Sequence, residues 1–85
     1  MKYVIVAIRD RAADCFAQPA FVAHIGGAIR SFGDEINRKE SGNALAAHPE
    51  DYDLYHLGFY YDGDAKFELL VDGPRQIAIG KDLVR

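Results

Sequence analysis

Apolar positions change their spacing along the chain, and each change marks an element. Residues 2–9 (KYVIVAIR) are rich in β-branched and aromatic side chains, with Val4, Val6 and Ile8 alternating against Tyr3, Ile5 and Ala7. Apolar groups on both faces predict a central strand covered on two sides, or covered on one side by a partner. Asp10 to Pro19 is mixed in polarity and reads as a connection whose Cys15-Phe16 pair tucks against the core. From Ala20 to Arg38 the spacing becomes helical: Phe21, Ile25, Ile29, Phe32 and Ile36 form one stripe, while Arg30, Asp34 and Arg38 face water. Gly26-Gly27 falls within this helix at a cost of about 1 kcal/mol per glycine relative to alanine, and close approach to a sheet is the expected reason.

Lys39 to Asn43 is a stop signal, and Ala44 to Ala47 forms a short turn before His48-Pro49. The next stretch is a hairpin, with strands at Tyr52–Tyr61 and Ala65–Val71 joined by Asp62-Gly63. Strict alternation places Asp53, Tyr55, Leu57, Phe59 and Tyr61 on one face and Leu54, His56, Gly58 and Tyr60 on the other. After a turn at Asp72-Gly73-Pro74, Gln76 to Ile79 is a last short strand. The expected order is β-α-β-β-β in one α+β domain spanning residues 1–85, a small antiparallel sheet of three to four strands with one main helix on one face. The helix-free face would carry some of Tyr3, Ile5, Leu54, Tyr60 and Leu70, too apolar to stay wet without a reason. A homodimer through that face is expected, with ligand binding by its aromatic rings as the other outcome.

Composition narrows the class. A chain of 85 residues, 49% hydrophobic and 12% aromatic, is too apolar for disorder. It has no apolar run of the roughly 18 residues a membrane span needs, so a soluble protein is expected. The opening MKYVIVAIRD reads as a strand and not as a signal peptide. A single cysteine excludes an internal disulfide framework and points to a reducing cytoplasm. The net charge of −3 is unevenly spread: residues 1–39 carry +2, residues 40–72 carry −7 and residues 73–85 carry +2. That bulk balance opposes non-specific nucleic-acid binding unless folding gathers the arginines.

Catalytic readings are thin, and no enzyme is expected. His48, Glu50 and His56 lack the ligand spacing of a zinc site, so His48 reads as a turn residue and His56 as a strand residue with a polar partner. Cys15 could pair with a histidine as a nucleophile, but no third, orienting group is implied and a small core hydrophobe is the expected role; Ser31 and Ser41 lie in no nucleophile motif. Gly26 to Ser31 lacks the Gly-Lys-Ser/Thr of a phosphate loop. No cofactor or metal is implied. The aromatic residues carry more. Tyr3 and Tyr60, with Tyr52 or Tyr61, could stack bases beside Arg9, Arg11, Arg75 and Lys81, or could simply pack strands or a dimer core.

The segment HPEDYDLYHLGFYYDGDAKFELL (48–70), the helical piece AIRSFGDEINR (28–38), Gln18-Pro19, the N-terminal strand and Ile77-Ala78-Ile79-Gly80 together resemble the small nonstructural protein of gokushovirus-type microviruses, which are single-stranded DNA phages. The resemblance implies a non-virion protein of the infected bacterium's cytoplasm, active where genome replication and packaging meet, with no catalytic residues to carry over. Two functions stay open. One is binding of single-stranded DNA, with Arg9, Arg11, Arg30, Arg38, Arg75 and Lys81 on phosphates and Tyr3 and Tyr60 stacking. The other is a protein–protein adaptor acting on a replication initiator, a procapsid or a host factor.

Overall fold

The computed structural model describes residues 1–85 as an α+β domain measuring 40 × 23 × 20 Å. Its elements are β1 (Lys2–Asp10), β2 (Cys15–Phe16), β3 (Ala20–Val22), α1 (Ile25–Asn37), α2 (Ala44–Ala47), β4 (Tyr52–Tyr61), β5 (Lys66–Leu69) and β6 (Arg75–Ile79), with 3-10 turns at Pro49–Asp51 and Gly80–Leu83. The antiparallel sheet has six strands, and the order is β-β-β-α-α-β-β-β. The expected three to four strands and β-α-β-β-β order are therefore corrected. Two short strands lie in the segment read as a connection and as the start of the helix.

The long β1–β4 ladder is the spine. It runs from Lys2 opposite Tyr61 to Asp10 opposite Tyr52. β2 and β3 line the outer edge of β1, and β5 and β6 line the outer edge of β4. Val4, Val6 and Leu54 meet Ala28, Phe32 and Ile36 of α1 in the core, with Ile25 and Ile29 at its margin. The helical stripe is thus the predicted one without Phe21. That residue belongs to β3, where it lies opposite Ile5 and is 45% exposed. Pro19 ends the preceding loop, and its fixed φ suits an extended entry into β3.

Gly26 and Gly27 are exposed, and a Cβ at either would meet nothing within 4 Å. The close approach occurs elsewhere. A Cβ at Gly58 would collide with the Glu68 carbonyl oxygen and lie 2.8 Å from Leu69 Cα, and one at Gly80 would collide with the Pro49 and Tyr52 carbonyl oxygens. Side-chain amides tie down the end of α1: Asn37 Nδ2 donates to the Gly33 and Leu83 carbonyls, and Asn43 Nδ2 donates to those of Glu35 and Arg38. These bonds add side-chain donors to carbonyls at the end of α1 and tie it to Leu83 of the last 3-10 turn.

Strict alternation fails once in β4, and that failure decides which residues share a face. Ile5 lies opposite Gly58 while Val6 lies opposite His56, so Leu57 is an extra, bulged residue. Before the bulge, Asp53 and Tyr55 are on the helix-free side; after it, Gly58 and Tyr60 join them. Leu54, His56, Phe59 and Tyr61 take the helix side. The predicted partition is corrected accordingly, and Leu54 belongs to the core under α1 instead of the open face. Leu70 also leaves that face, since it borders a cleft with His56 and Phe59.

Gly58→Ala is expected to lower the unfolding free energy by about 2 kcal/mol, because the added methyl must displace the backbone of β5. Gly26→Ala should raise it by about 0.5–1 kcal/mol by restricting the unfolded chain in open surroundings. Urea titrations of the two variants, read by circular dichroism, check both signs.

Candidate nucleic-acid interface

Odd-numbered positions of β1 and their register partners build the helix-free face. Tyr3 is opposite Tyr60, which is opposite Phe67; Ile5 is opposite both Phe21 and Gly58; Ala7 is opposite Tyr55; Arg9 is opposite both Phe16 and Asp53. Ile5 and Ala7 form a floor that is 3% exposed. Rings stand at either end of it.

At one end Tyr3, Phe21, Tyr60 and Phe67 form a contiguous cluster. Tyr60 lies 4.8 Å from Phe67, 5.3 Å from Phe21 and 6.4 Å from Tyr3 between ring centroids, and Phe21 lies 6.1 Å from Phe67. These separations and tilts suit the ring quadrupole. The cluster is not sealed, since Phe67 is 58% exposed. Its rings are therefore available to something other than each other.

At the other end Phe16 meets Tyr55 edge-on at 5.2 Å, and the Arg9 guanidinium carbon lies 5.5 Å from the Phe16 centroid. Phe16 is 38% exposed and Cys15 is exposed, so this pair forms an edge strand and not the core plug expected of it. Arg9 also pairs with Asp14 at 2.5 Å. Arg11 sits 3.3 Å from Asp53 Oδ2 and donates to the Glu50 carbonyl. Asp53 is buried, and its Oδ1 has no protein donor, so Arg11 is its one cationic partner.

Of the predicted contacts, Tyr3, Tyr60, Arg9 and Arg11 are brought together on this face. The rest lie apart. Arg30 is on the exposed side of α1, and Arg38 stands at its end, held by Glu35 at 2.9 Å and Glu40 at 2.5 Å. That hydrogen bond to Arg38 holds the Glu35 carboxyl below its ordinary pKa. Arg75 pairs with His56 on the helix side, and Lys81 lies in the 3-10 turn behind α1. Tyr52 and Tyr61 also face the helix side, where burial first and the Glu68 hydrogen bond second raise the Tyr61 pKa.

Sequence reading missed Phe16, Phe21, Tyr55 and Phe67 as members of the face. Phe67 was visible as an alternating strand position, whereas Phe21 was hidden by the helix-like spacing it shares with Ile25 and Ile29, and Phe16 by a strand only two residues long inside a stretch of mixed polarity. The acidic block is less obstructive than its sum suggests. Asp53 is paired with Arg11, Glu68 turns to Tyr61 on the helix side, and Asp62 is paired with the N-terminal amine.

The remaining candidates are modest. His56 is 2% exposed, and its Nε2 lies 3.0 Å from the Gly58 carbonyl oxygen, which is the polar partner expected of it. His48, Glu50 and Asp51 approach within 4.8 Å of one another on an outer turn, a common arrangement of solvated groups. No helix is long and apolar enough to cross a membrane.

Fold and face together define a small sheet protein that presents rings and guanidinium groups on its helix-free side. The chain belongs to the Phage ORF5 protein family, whose model matches residues 3–83. It is thus a small phage accessory protein. No curated protein and no solved structure matches it.

Arg11→Ala is expected to cost about 2 kcal/mol of stability, because Asp53 would keep its burial and lose its cation; half-exposure of the guanidinium sets the effect below that of a fully buried pair. Arg38→Ala, whose partners are exposed, should leave the urea midpoint close to that of the parent protein.

Proposed function

We propose that the helix-free face binds single-stranded DNA, and that this small phage protein acts in genome replication or packaging of gokushovirus-type microviruses within the host cytoplasm. The role assigned is binding and not catalysis. The observation that carries the reading is the open cluster of Tyr3, Phe21, Tyr60 and Phe67 on the same face as Arg9, Arg11, Phe16 and Tyr55. Aromatic faces stack unpaired bases irrespective of sequence, and flanking guanidinium groups neutralise the phosphates between them. From Tyr3 to Arg9 the strand covers about 20 Å, enough for a short run of extended nucleotides.

Binding of this kind is local, so it tolerates the overall charge of −3. It also predicts a shallow salt dependence, because Arg9 and Arg11 are the cations on the face and each is already shared with a carboxylate, Asp14 and Asp53 respectively. A protein partner on the same surface is the competing occupant, favoured by the apolar exposure of Leu69 and Phe67. A face-to-face homodimer would occupy the surface in the same way.

Fluorescence anisotropy with a labelled single-stranded oligonucleotide at two salt concentrations separates these readings. Affinity should fall with salt, with a slope corresponding to at most about two phosphates. Phe67→Ala should weaken binding about tenfold or more through lost stacking, and Arg9→Ala should reduce the salt slope by about one contact. Arg30→Ala and Arg38→Ala should leave binding unchanged. No measurable binding at low salt would falsify the proposal and favour a protein partner.

A further inference from the structure

The outer edge of β5 is unpaired, and its four residues have a pattern that matches itself. The Leu70 N–H donates to the Leu57 carbonyl of β4 at 3.0 Å. Backbone groups alternate in direction along a strand, so those of Lys66 and Glu68 also point inward to β4, and those of Phe67 and Leu69 point outward. No strand lies beyond them. The other edges are interrupted or shielded: Pro19 separates β2 from β3, and Pro74 precedes β6. Proline at an edge is a common defence against strand addition, and β5 has none.

We propose that β5 pairs with β5 of a second copy of this chain, antiparallel, about a two-fold axis at Phe67. The charge order selects this register. With Phe67 opposite its own counterpart, each Lys66 faces a Glu68 across the axis, twice per dimer. Shifting the axis to Lys66 or to Glu68 also satisfies the outward backbone groups, but it sets like charges directly opposite each other, which destabilises a sheet. At the chosen register the two Phe67 residues exchange both backbone hydrogen bonds, and the Lys66–Glu68 pairs fall at the closer, non-hydrogen-bonded positions.

The partner completes more than an edge. Phe67 projects on the helix-free face, in contact with Tyr60 and Phe21. Pairing at β5 brings the ring clusters of the two copies side by side, in one continuous sheet whose face stays open. The inference stands on the edge pattern alone and holds whatever that face binds.

A four-residue edge buries much less than the roughly 1,600 Å² of a standard interface, so association should be concentration-dependent, with dimer appearing between about 10 µM and about 1 mM. Sedimentation velocity over that range, under reducing conditions, tests it. Lys66→Glu and Glu68→Lys should each weaken dimerisation about tenfold or more by placing like charges across the axis. The double variant K66E/E68K should restore it, because the pairs then form with reversed sign. Circular dichroism of the same samples verifies the fold. A monomeric mass up to about 1 mM overturns the proposal. So does a dimer indifferent to the single substitutions, or a double variant no stronger than the singles. None of these readings involves DNA, so failure here leaves the binding assignment to its own test.

Discussion

The extra residue at Leu57 is the constraint on which the arrangement of the molecule depends. A strand has only two sides, and β4 must serve a helix on one and a ring-bearing surface on the other. Its first half does this with Leu54 and His56 inward and Asp53 and Tyr55 outward. Without the bulge, Phe59 would follow Tyr55 onto the open face and Tyr60 would turn under the helix side. The irregularity reverses the sides after His56 and aligns Tyr60 with Tyr3 and Phe67. Gly58 allows β5 to approach closely immediately beyond it. One inserted residue and one absent side chain thus assemble the cluster.

Much of the fold was legible in the chain. The first strand, the Ile25-Ile29-Phe32-Ile36 stripe, the bounds of Tyr52–Tyr61, the Asp-Gly turn and the last strand all carry strong local signals, because period and turn chemistry act over a few residues. What was hidden depends on pairing across the sheet. β2 and β3 are two and three residues long, too short to show a period of their own. Phe21 lies four residues before Ile25, so it mimics a helical position although β1 claims its backbone. The bulge is a property of the β1–β4 pair, and neither strand announces it alone.

The candidate site divides along the same line. Tyr3 and Tyr60 were readable as open-face aromatics, although Tyr60 was grouped with Leu54 and His56 on a strict alternation that the bulge breaks. Arg9 follows from its odd position on β1. Arg30, Arg38, Arg75 and Lys81 could be sorted only by the fold, since charge in a sequence carries no direction. The acidic block likewise looks prohibitive as a sum and divides in space, with Asp53 neutralised from within by Arg11.

Cys15 bears on how the chain behaves in air-saturated solution. It is the only thiol, it is exposed, and no second sulfur in the molecule can cap it. Oxidation in air therefore joins one chain to another through the tip of β2, on the outer side of β1, away from the β5 edge. Covalent pairs formed that way would have a geometry unrelated to strand addition. They would also tether the Phe16 ends of two sheets, an artefact of storage that a thiol reductant removes.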